Sequence, residues 1–349
     1  MTPFVLRALR IAGLTLMASL PSKSFAATVD EQAWTAYKGA FLESTGRIVD
    51  TGNGNISHSE GQGYGMWLAV LAGNPADFEL IWSFTKTELL VRNDGLAAWK
   101  WDPQANPHIT DINNATDGDI LIAYALALAA AEFNRPDYQQ TARAIINTIA
   151  EKAVIQNAGR TLLLPAVEGF SATDRNDGPV INPSYLIFEA FPVFDMLSPS
   201  PVWQALTRDG VALLESFSFG DRKLPADWVS MKRRPQPAEG FAPEFGYNAV
   251  RIPLYLAQAK AGNTTLYTRL LTGMSVDNGS IATVDLRQNT VKDTLSDPGY
   301  RMVAAITACA ANGTRIPDDL RSFSPTLYYP STLHLLALSA VAQTHRECL

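Results

Sequence analysis

The chain has 349 residues, of which 47% are hydrophobic, and a formal net charge of −6. This apolar content is enough for a sizeable core, and the length allows one large domain or two of ordinary size. The acidic balance, without a Lys/Arg cluster, disfavours nucleic acid and anionic lipid surfaces as partners, and also a strongly anionic substrate.

The first 26 residues have the order of an export signal. Arg7 and Arg10 precede the apolar run IAGLTLMASL, and a small-residue site follows at Ala26-Ala27. This order predicts a signal peptide over residues 1–26, cleaved after Ala26, and a periplasmic or secreted protein. The apolar run is shorter than the about 20 residues of a spanning helix, so stable membrane insertion is not expected; an uncleaved anchor is the alternative. Removal of the signal's three cations changes the net charge from −6 to −9.

Helical periodicity continues through most of the remaining chain. Many of the periodic segments are rich in Ala and Leu, which are strong helix formers. The predicted helices cover 30–43, 61–73, 76–90, 118–134, 136–154, 184–196, 200–217, 247–260, 264–273, 298–311 and 327–343. A short strand or hairpin is predicted at 160–166.

The loops between these helices alternate in length. Those after the odd-numbered helices are longer and richer in Gly, Pro, Asn and Asp. Helix pairs joined in this way are typical of an α/α barrel whose long loops form a cleft at one end. A stacked helical solenoid is the alternative, but the chain has no strict period of 34 or 40 residues.

The two cysteines and four histidines give no metal-binding pattern. Cys309 lies in the apolar stretch AAITACAAN and is expected to be buried, whereas Cys348 is next to the last residue. An exported protein can form a disulfide between them, but the sequence favours two unpaired cysteines. The histidines are scattered without ligand spacing, so no metal site is predicted.

Glu60 stands in the motif SEGQGYGM, residues 59–66. Its three glycines each cost about 1 kcal/mol in a helix relative to alanine. Such a cost indicates close approach of backbone or ligand at this helix start. Capping of the helix by Ser59 or Glu60 is the alternative role.

A second acidic motif, ATDGD over residues 115–119, precedes a long Ala/Leu helix. Thr116 or Asp117 can serve as the N-cap, and acids in a first turn are favoured by the helix dipole. Two acids flanking a glycine beside a polar loop are also typical of a catalytic site. Periodicity does not choose between these roles for Asp117 and Asp119.

Seven aromatic residues lie near predicted helix ends or loops. There they can pack against the apolar faces of sugar rings or against the core. They are Trp99, Trp101, Tyr185, Trp228, Tyr247, Tyr328 and Tyr329.

Seven motifs in this order resemble glycoside hydrolase family 8, and most closely its endoglucanases encoded with bacterial cellulose synthase. The motifs are SEGQGYGM, AWKWDP, NATDGDILIAYAL, LLLP, INPSY, DWV and GYNAVRIPLY. The resemblance extends from about Trp34 to about Tyr329. It implies an all-α (α/α)6 barrel, a toroid of six helix pairs with an open substrate cleft, and a single glycoside hydrolase catalytic domain over residues 27–349.

The resemblance also implies roles for individual residues. Glu60 matches the proton donor, and Asp117 matches an essential carboxylate that contacts the sugar at the cleavage point. Trp101 matches a sugar-stacking tryptophan, and Arg251 an arginine beside the water-activating site. Further substrate contacts are expected from Tyr64, Asp119, Tyr185 and Tyr247.

One position departs from the family pattern. Many relatives have an aspartate as general base where this chain has Asn248, whose amide can hold a water but cannot take a proton at neutral pH. The base is therefore expected elsewhere. Asp117 is the first choice, with Glu244 and Asp177 in reserve.

Together these expectations describe endo-acting hydrolysis of β-1,4-glucan with inversion. Glu60, kept protonated by a raised pKa, donates to the glycosidic oxygen while water attacks the opposite face, with the two carboxyl groups roughly 6.5–9.5 Å apart. The alternatives are another β-1,4 polymer (xylan, chitosan or mixed-linkage glucan) and a non-catalytic glucan-binding protein, which Asn248 would suit. The resemblance further implies work beside the cellulose synthase complex and no cofactor.

Overall fold

The computed structural model describes residues 27–349, so the predicted signal peptide over residues 1–26 lies outside the described residues. The predicted succession of eleven helices is confirmed within this part of the chain. The helices are α1 (Glu31–Phe41), α2 (Ser59–Leu71), α3 (Pro75–Phe84), α4 (Thr116–Glu132), α5 (Pro136–Lys152), α6 (Ala190–Leu197), α7 (Pro201–Ser216), α8 (Ile252–Gln258), α9 (Thr264–Met274), α10 (Pro298–Asn312) and α11 (Tyr328–Thr344). A π-helical turn, Thr85–Leu89, extends α3.

Short and long connections alternate from α1 to α10, as the sequence predicts, but the last connection, 313–327, is long although it follows an even-numbered helix. The connections after α2, α4, α6 and α8 cover only 72–74, 133–135, 198–200 and 259–263. The connections after α1, α3, α5, α7 and α9 extend over 42–58, 85–115, 153–189, 217–251 and 275–297. Because short connections join antiparallel neighbours, the long ones gather at one end, and that end contains the candidate site.

The positions of the helix starts follow from the local sequence. Side-chain oxygens of Asp30, Asn74, Ser200 and Asn263 accept hydrogen bonds from backbone N–H groups in the first turns of α1, α3, α7 and α9. Proline occupies one of the first positions of α3, α5, α7, α8 and α10, where its missing N–H costs no helical hydrogen bond.

Burial divides the helices into two kinds. Nearly every residue of α2 is buried, as are most residues of α4 and α11, so these helices lie inside the protein. In contrast, α5, α7 and α9 bury one face each and expose the other. Inner and outer helices of this kind are the layers of an α/α arrangement.

Four small antiparallel sheets lie in the long connections. Two sheets have two strands each: β1 (Ser57–His58) with β2 (Lys100–Trp101), and β3 (Val154–Asn157) with β4 (Arg160–Leu163). The other two have three strands each: β6 (Val229–Ser230) lies between β5 (Val180–Ile181) and β7 (Gln236–Pro237), and β9 (Ile281–Asp285) lies between β8 (Glu244–Phe245) and β10 (Thr290–Leu295). The hairpin predicted at 160–166 is present, but it begins earlier, with β3. The β9–β10 hairpin was not predicted, although Ile281, Val284 and Val291 favour strands.

Two predicted helices begin later than expected. In place of a helix from residue 184, a 3₁₀ turn at Pro183–Tyr185 precedes α6. In place of a helix from residue 247, a 3₁₀ turn at Ala249–Arg251 precedes α8. Both irregular turns carry side chains that face the candidate site.

The preference for two unpaired cysteines is wrong. Cys309 of α10 is buried as expected, and it forms a disulfide with Cys348, which anchors the C-terminal turn to α10. Among residues 27–349, no helix is both long and apolar enough to cross a bilayer.

Candidate active site

The starts of six chain segments surround one cavity of about 600 Å³. These segments are α2, α4, the turns that precede α6 and α8, α10, and α11. The lining includes His58, Glu60, Trp99, Asp117, Tyr185, Tyr247, Asn248, Arg251, Asp297, Tyr300 and Tyr329, with Asp50 at one side. A cavity with aromatic walls and several carboxyl groups can hold a neutral polar ligand such as a sugar chain.

Arg251 holds Glu60 and Asp117 together at this cavity. Its guanidinium donates through Nη1 to Glu60 Oε2, and through Nη2 to Asp117 Oδ2 at 2.6 Å. Arg251 is only 2% exposed, so both ion pairs are shielded from water and are stronger than surface pairs. The two carboxyl groups are also within hydrogen-bonding reach of each other.

This contact sets the pKa values of the two carboxyls apart. Burial, followed by the charge of Glu60, raises the pKa of Asp117 to about 8. Burial also acts to raise the pKa of Glu60, but the charge of Arg251 leads the effects that outweigh it, and the net shift is downward. Two carboxyls in contact do not both ionise easily, so the pair keeps one proton near neutral pH. The raised pKa that the sequence predicts for Glu60 is therefore found on Asp117, its hydrogen-bonding neighbour.

Glycine permits this close approach of the starts of α2 and α4. A Cβ on Gly118 would lie 2.0 Å from Ser59 Oγ, and one on Gly63 would lie 2.5 Å from the Cβ of Leu121. These contacts are shorter than any packed structure tolerates. Gly63 and Gly118 thus serve the close approach of the two helices, which is one of the two roles that the sequence leaves open.

His58, rather than Ser59 or Glu60, caps α2. Its Nδ1 accepts a hydrogen bond from the Gly61 N–H at 2.9 Å, and its Nε2 lies 3.2 Å from Asp50 Oδ2. With Nδ1 accepting, Nε2 carries the proton and donates to Asp50. Glu60 therefore does not cap α2, and it lines the cavity.

The two acids of ATDGD have different surroundings. Asp117 faces the cavity, whereas Asp119 is outside its lining and 1% exposed. Asp119 accepts hydrogen bonds from the Ala97 N–H and from Asn114 Nδ2, both at 2.8 Å. Burial raises the pKa of Asp119 to about 7. Its contacts hold the long α3–α4 connection, and the structure does not bring it to the position expected for a substrate contact.

Asn248 lines the cavity with Asp227 behind it. Asp227 Oδ1 accepts from the Gly246 and Ala249 N–H groups at 2.8 and 2.9 Å, and Asn248 Nδ2 lies 3.3 Å from Asp227 Oδ2. Because Nδ2 is turned toward Asp227, the amide oxygen of Asn248 is turned away from it. Sequence reasoning missed Asp227 as a positioning residue, although it begins the DWV motif.

The reserve bases lie elsewhere. Glu244 is paired with Lys292. Asp177 is paired with Arg175 at 2.9 Å and accepts from the Glu239 N–H at 2.8 Å. Neither residue lines the cavity.

The aromatic residues expected to contact the substrate lie in different places, some in the cavity lining and others outside it. Tyr185 and Tyr247 line the cavity, and the hydroxyl of Tyr185 hydrogen-bonds to Asp117. Tyr64 is fully buried and hydrogen-bonded to Tyr255. Trp101 is outside the lining, where its indole donates to Glu88 at 3.3 Å.

The tryptophan in the lining is Trp99, two residues earlier in the same motif. Its indole Nε1 donates to Asp111 at 2.9 Å, which holds the ring beside the cavity. Among the described residues, the one cluster of potential metal ligands is Cys309, Glu347 and Cys348, whose two sulfurs are bonded to each other.

One end of this helical barrel brings together two carboxyls, a buried arginine and aromatic walls. These are the groups that a site for glycoside cleavage requires. The model of the family described as "Glycosyl hydrolases family 8" matches residues 6–343, nearly the whole chain. The chain belongs to this family, as its motifs predict.

Curated relatives and solved structures agree with this assignment. A probable endoglucanase of Novacetimonas hansenii is 36% identical over 319 residues, which is 89% of this chain and 91% of that protein. An endoglucanase of Cellulomonas uda is 39% identical over 254 residues, covering 72% and 69%. The endo-β-1,4-glucanase CMCax of Acetobacter xylinum has a TM-score of 0.80 at 34% identity, covering 91% of this chain and 98% of that one. The predicted (α/α)6 fold is confirmed.

Proposed function

We propose that this protein is an endo-acting β-1,4-glucanase in which Glu60 is the proton donor. The observation that carries the proposal is the Glu60–Asp117 pair, which Arg251 bridges at one side of an aromatic-lined cavity. A pair that keeps a proton near neutral pH can supply the acid that glycosidic cleavage requires.

The arrangement gives each group a distinct task. A glucan ring held between Trp99, Tyr185 and Tyr247 presents its glycosidic oxygen to Glu60. The proton reaches Glu60 through its hydrogen bond with Asp117. As the bond breaks, the Asp117 carboxylate stabilises the oxocarbenium-like sugar. Water attacks the opposite face, held by the amide oxygen of Asn248.

The nature of the cavity suits a neutral glucan. Aromatic rings pack against sugar faces, and Arg251, the one Lys or Arg in the described lining, is occupied by two carboxyls, so it is not available to an anionic polymer. The names of the relatives support β-1,4-glucan as the substrate. The signal-like N-terminus supports action in the periplasm or outside the cell, and the resemblance of the motifs to endoglucanases encoded with cellulose synthase supports action close to cellulose synthesis.

The proposal is tested by reducing-end release from carboxymethylcellulose, xylan, chitosan and mixed-linkage glucan. We expect release from carboxymethylcellulose with a rapid fall in viscosity, because internal bonds are cut. Glu60→Gln should lower kcat by about 10²–10⁴-fold with glucan binding retained. Glu151→Gln, on the exposed face of α5, is the matched control and should be fully active.

Two outcomes would contradict the proposal. Full activity in Glu60→Gln would remove Glu60 from the reaction. Retention of glucan by the native protein without any cleavage would make it a glucan-binding relative, in which Asn248 marks a lost base.

A further inference from the structure

The proposed function leaves one group unassigned, namely the base that takes a proton from the attacking water. In an inverting hydrolase this base faces the acid across the sugar, with roughly 6.5–9.5 Å between the carboxyls to leave room for water. Asp117 does not meet this condition because it hydrogen-bonds to Glu60. Glu244 and Asp177 do not line the cavity at all.

The described lining contains two other carboxylates, Asp50 and Asp297. Both oxygens of Asp50 are engaged: Oδ2 lies 3.2 Å from His58 Nε2, and Oδ1 accepts from the Gly52 N–H at 3.1 Å. Asp297, in contrast, stands at the N-cap position of α10 without donating or accepting a side-chain hydrogen bond there. Its lone pairs are therefore available to a water in the cavity.

The position of Asp297 places it on the same wall as Asn248. Thr294 and Leu295, at the end of β10, line the cavity just before it. Tyr300, three residues after it, packs edge-on against Tyr247, with the ring centroids 6.4 Å apart. Tyr247 immediately precedes Asn248, so the start of α10 and the Asn248 turn form one continuous surface. Glu60 and Asp117 lie on the other elements, α2 and α4.

We propose that Asp297 is the general base of this enzyme. A water held by the Asn248 amide oxygen attacks the anomeric carbon, and its proton passes to the Asp297 carboxylate. The bond between that carbon and the glycosidic oxygen breaks, and the oxygen takes the proton of Glu60. The products are two shorter glucan chains. Loss of the proton from Asp297 to solvent and its uptake by the Glu60–Asp117 pair restore the starting state.

This inference rests on the proposed function and explains how a family member can work with asparagine at position 248. Asn248 positions the water, and the carboxylate that removes the proton comes from the next long connection, over residues 275–297.

The test compares Asp297→Asn with Asp221→Asn, an exposed control whose side chain makes no hydrogen bond. We expect Asp297→Asn to lower kcat on cello-oligosaccharides by about 10²–10⁴-fold with little change in KM, and to lose the acidic limb of the pH profile. Since the carboxylate does not cap α10, the melting temperature should stay that of the native protein.

Azide provides a second readout that a structural role would not produce. Azide needs no base, so it should restore cleavage in Asp297→Asn and give an α-glycosyl azide, whereas Glu60→Gln should stay inactive. Full kcat in Asp297→Asn, with its acidic limb intact, would overturn the assignment of Asp297 while leaving the proposed function in place. No cleavage by the native protein would overturn both.

Discussion

A single arginine side chain decides the chemistry at the floor of the cavity. Arg251 reaches Glu60 and Asp117 with two different nitrogens, and it is shielded from water. A planar guanidinium can serve two carboxyls at once, whereas an ammonium is a point charge.

We predict that Arg251→Lys lowers kcat by about 10–100-fold. The lysine cannot keep both contacts, and one lost charge-assisted hydrogen bond of about 1.5–3 kcal/mol corresponds to that factor. Steady-state kinetics over a pH series would measure the change. Unchanged kcat would mean that the two carboxyls keep their arrangement without the two guanidinium contacts of Arg251.

At this scale the sequence predicts which residue types matter better than where they point. Glu60, Asp117 and Arg251 are identified by their motifs and do meet at the cavity. Asp117 and Asp119 are indistinguishable in sequence, because both lie in the first turn of α4. The distinction comes from Ala97 and Asn114, which approach Asp119 from a preceding loop.

At the scale of the elements, the starts of helices build the site. α2 and α4 begin side by side, and their N-terminal dipoles favour the negative charge of the carboxyl pair. The approach depends on Gly118, whose missing Cβ leaves room for Ser59.

We predict that Gly118→Ala destabilises the fold by about 1–3 kcal/mol, since an added methyl group overpacks this contact. It should also lower kcat, because Glu60 and Asp117 are forced apart. Urea unfolding and activity assays check both effects. Gly39→Ala in α1, where nothing lies within 4 Å of the new Cβ, is the control and should stabilise by about 0.5–1 kcal/mol. Equal unfolding free energies and equal kcat values for Gly118→Ala and Gly39→Ala would contradict the close packing of Gly118 against Ser59.

The succession of helices and the alternation of short and long connections could be predicted, since both follow from periodicity and composition. The irregular pieces could not. The 3₁₀ turns at Pro183–Tyr185 and Ala249–Arg251 read as parts of helices, yet they present Tyr185 and Arg251 to the cavity. Their shape follows from tertiary contacts such as those of Asp227, which no local pattern reveals.

At the scale of the whole molecule, buried carboxyls couple stability to pH. Burial raises the pKa of Asp119 and of Glu189 to about 7 each, and that of Asp117 to about 8. The unfolded chain releases these protons near pH 4. Between those limits the folded protein binds more protons than the unfolded chain, so its stability falls as the pH rises.

We predict that the free energy of unfolding decreases from pH 5 to pH 8. Each of these carboxyls can contribute up to about 1.4 kcal/mol per pH unit within its own window. Glu189→Gln should flatten the dependence below pH 7, and the exposed Glu151→Gln should leave it unchanged. Urea unfolding at pH 5, 6, 7 and 8 measures the slope. A stability that rises with pH over this range would contradict the burial of protonated carboxyls.

The proposed mechanism depends most on a water that attacks the sugar opposite Glu60. The alternative is a retaining mechanism in two steps, for which two carboxyls about 5 Å apart are typical. Asp117, in contact with Glu60, would then be the nucleophile. Proton NMR of freshly cleaved cellohexaose separates the two mechanisms through the anomer that forms first. We predict the α-anomer, as expected for direct attack by water on a β-linkage, whereas initial formation of the β-anomer would contradict the single-step mechanism and the role of Asp297.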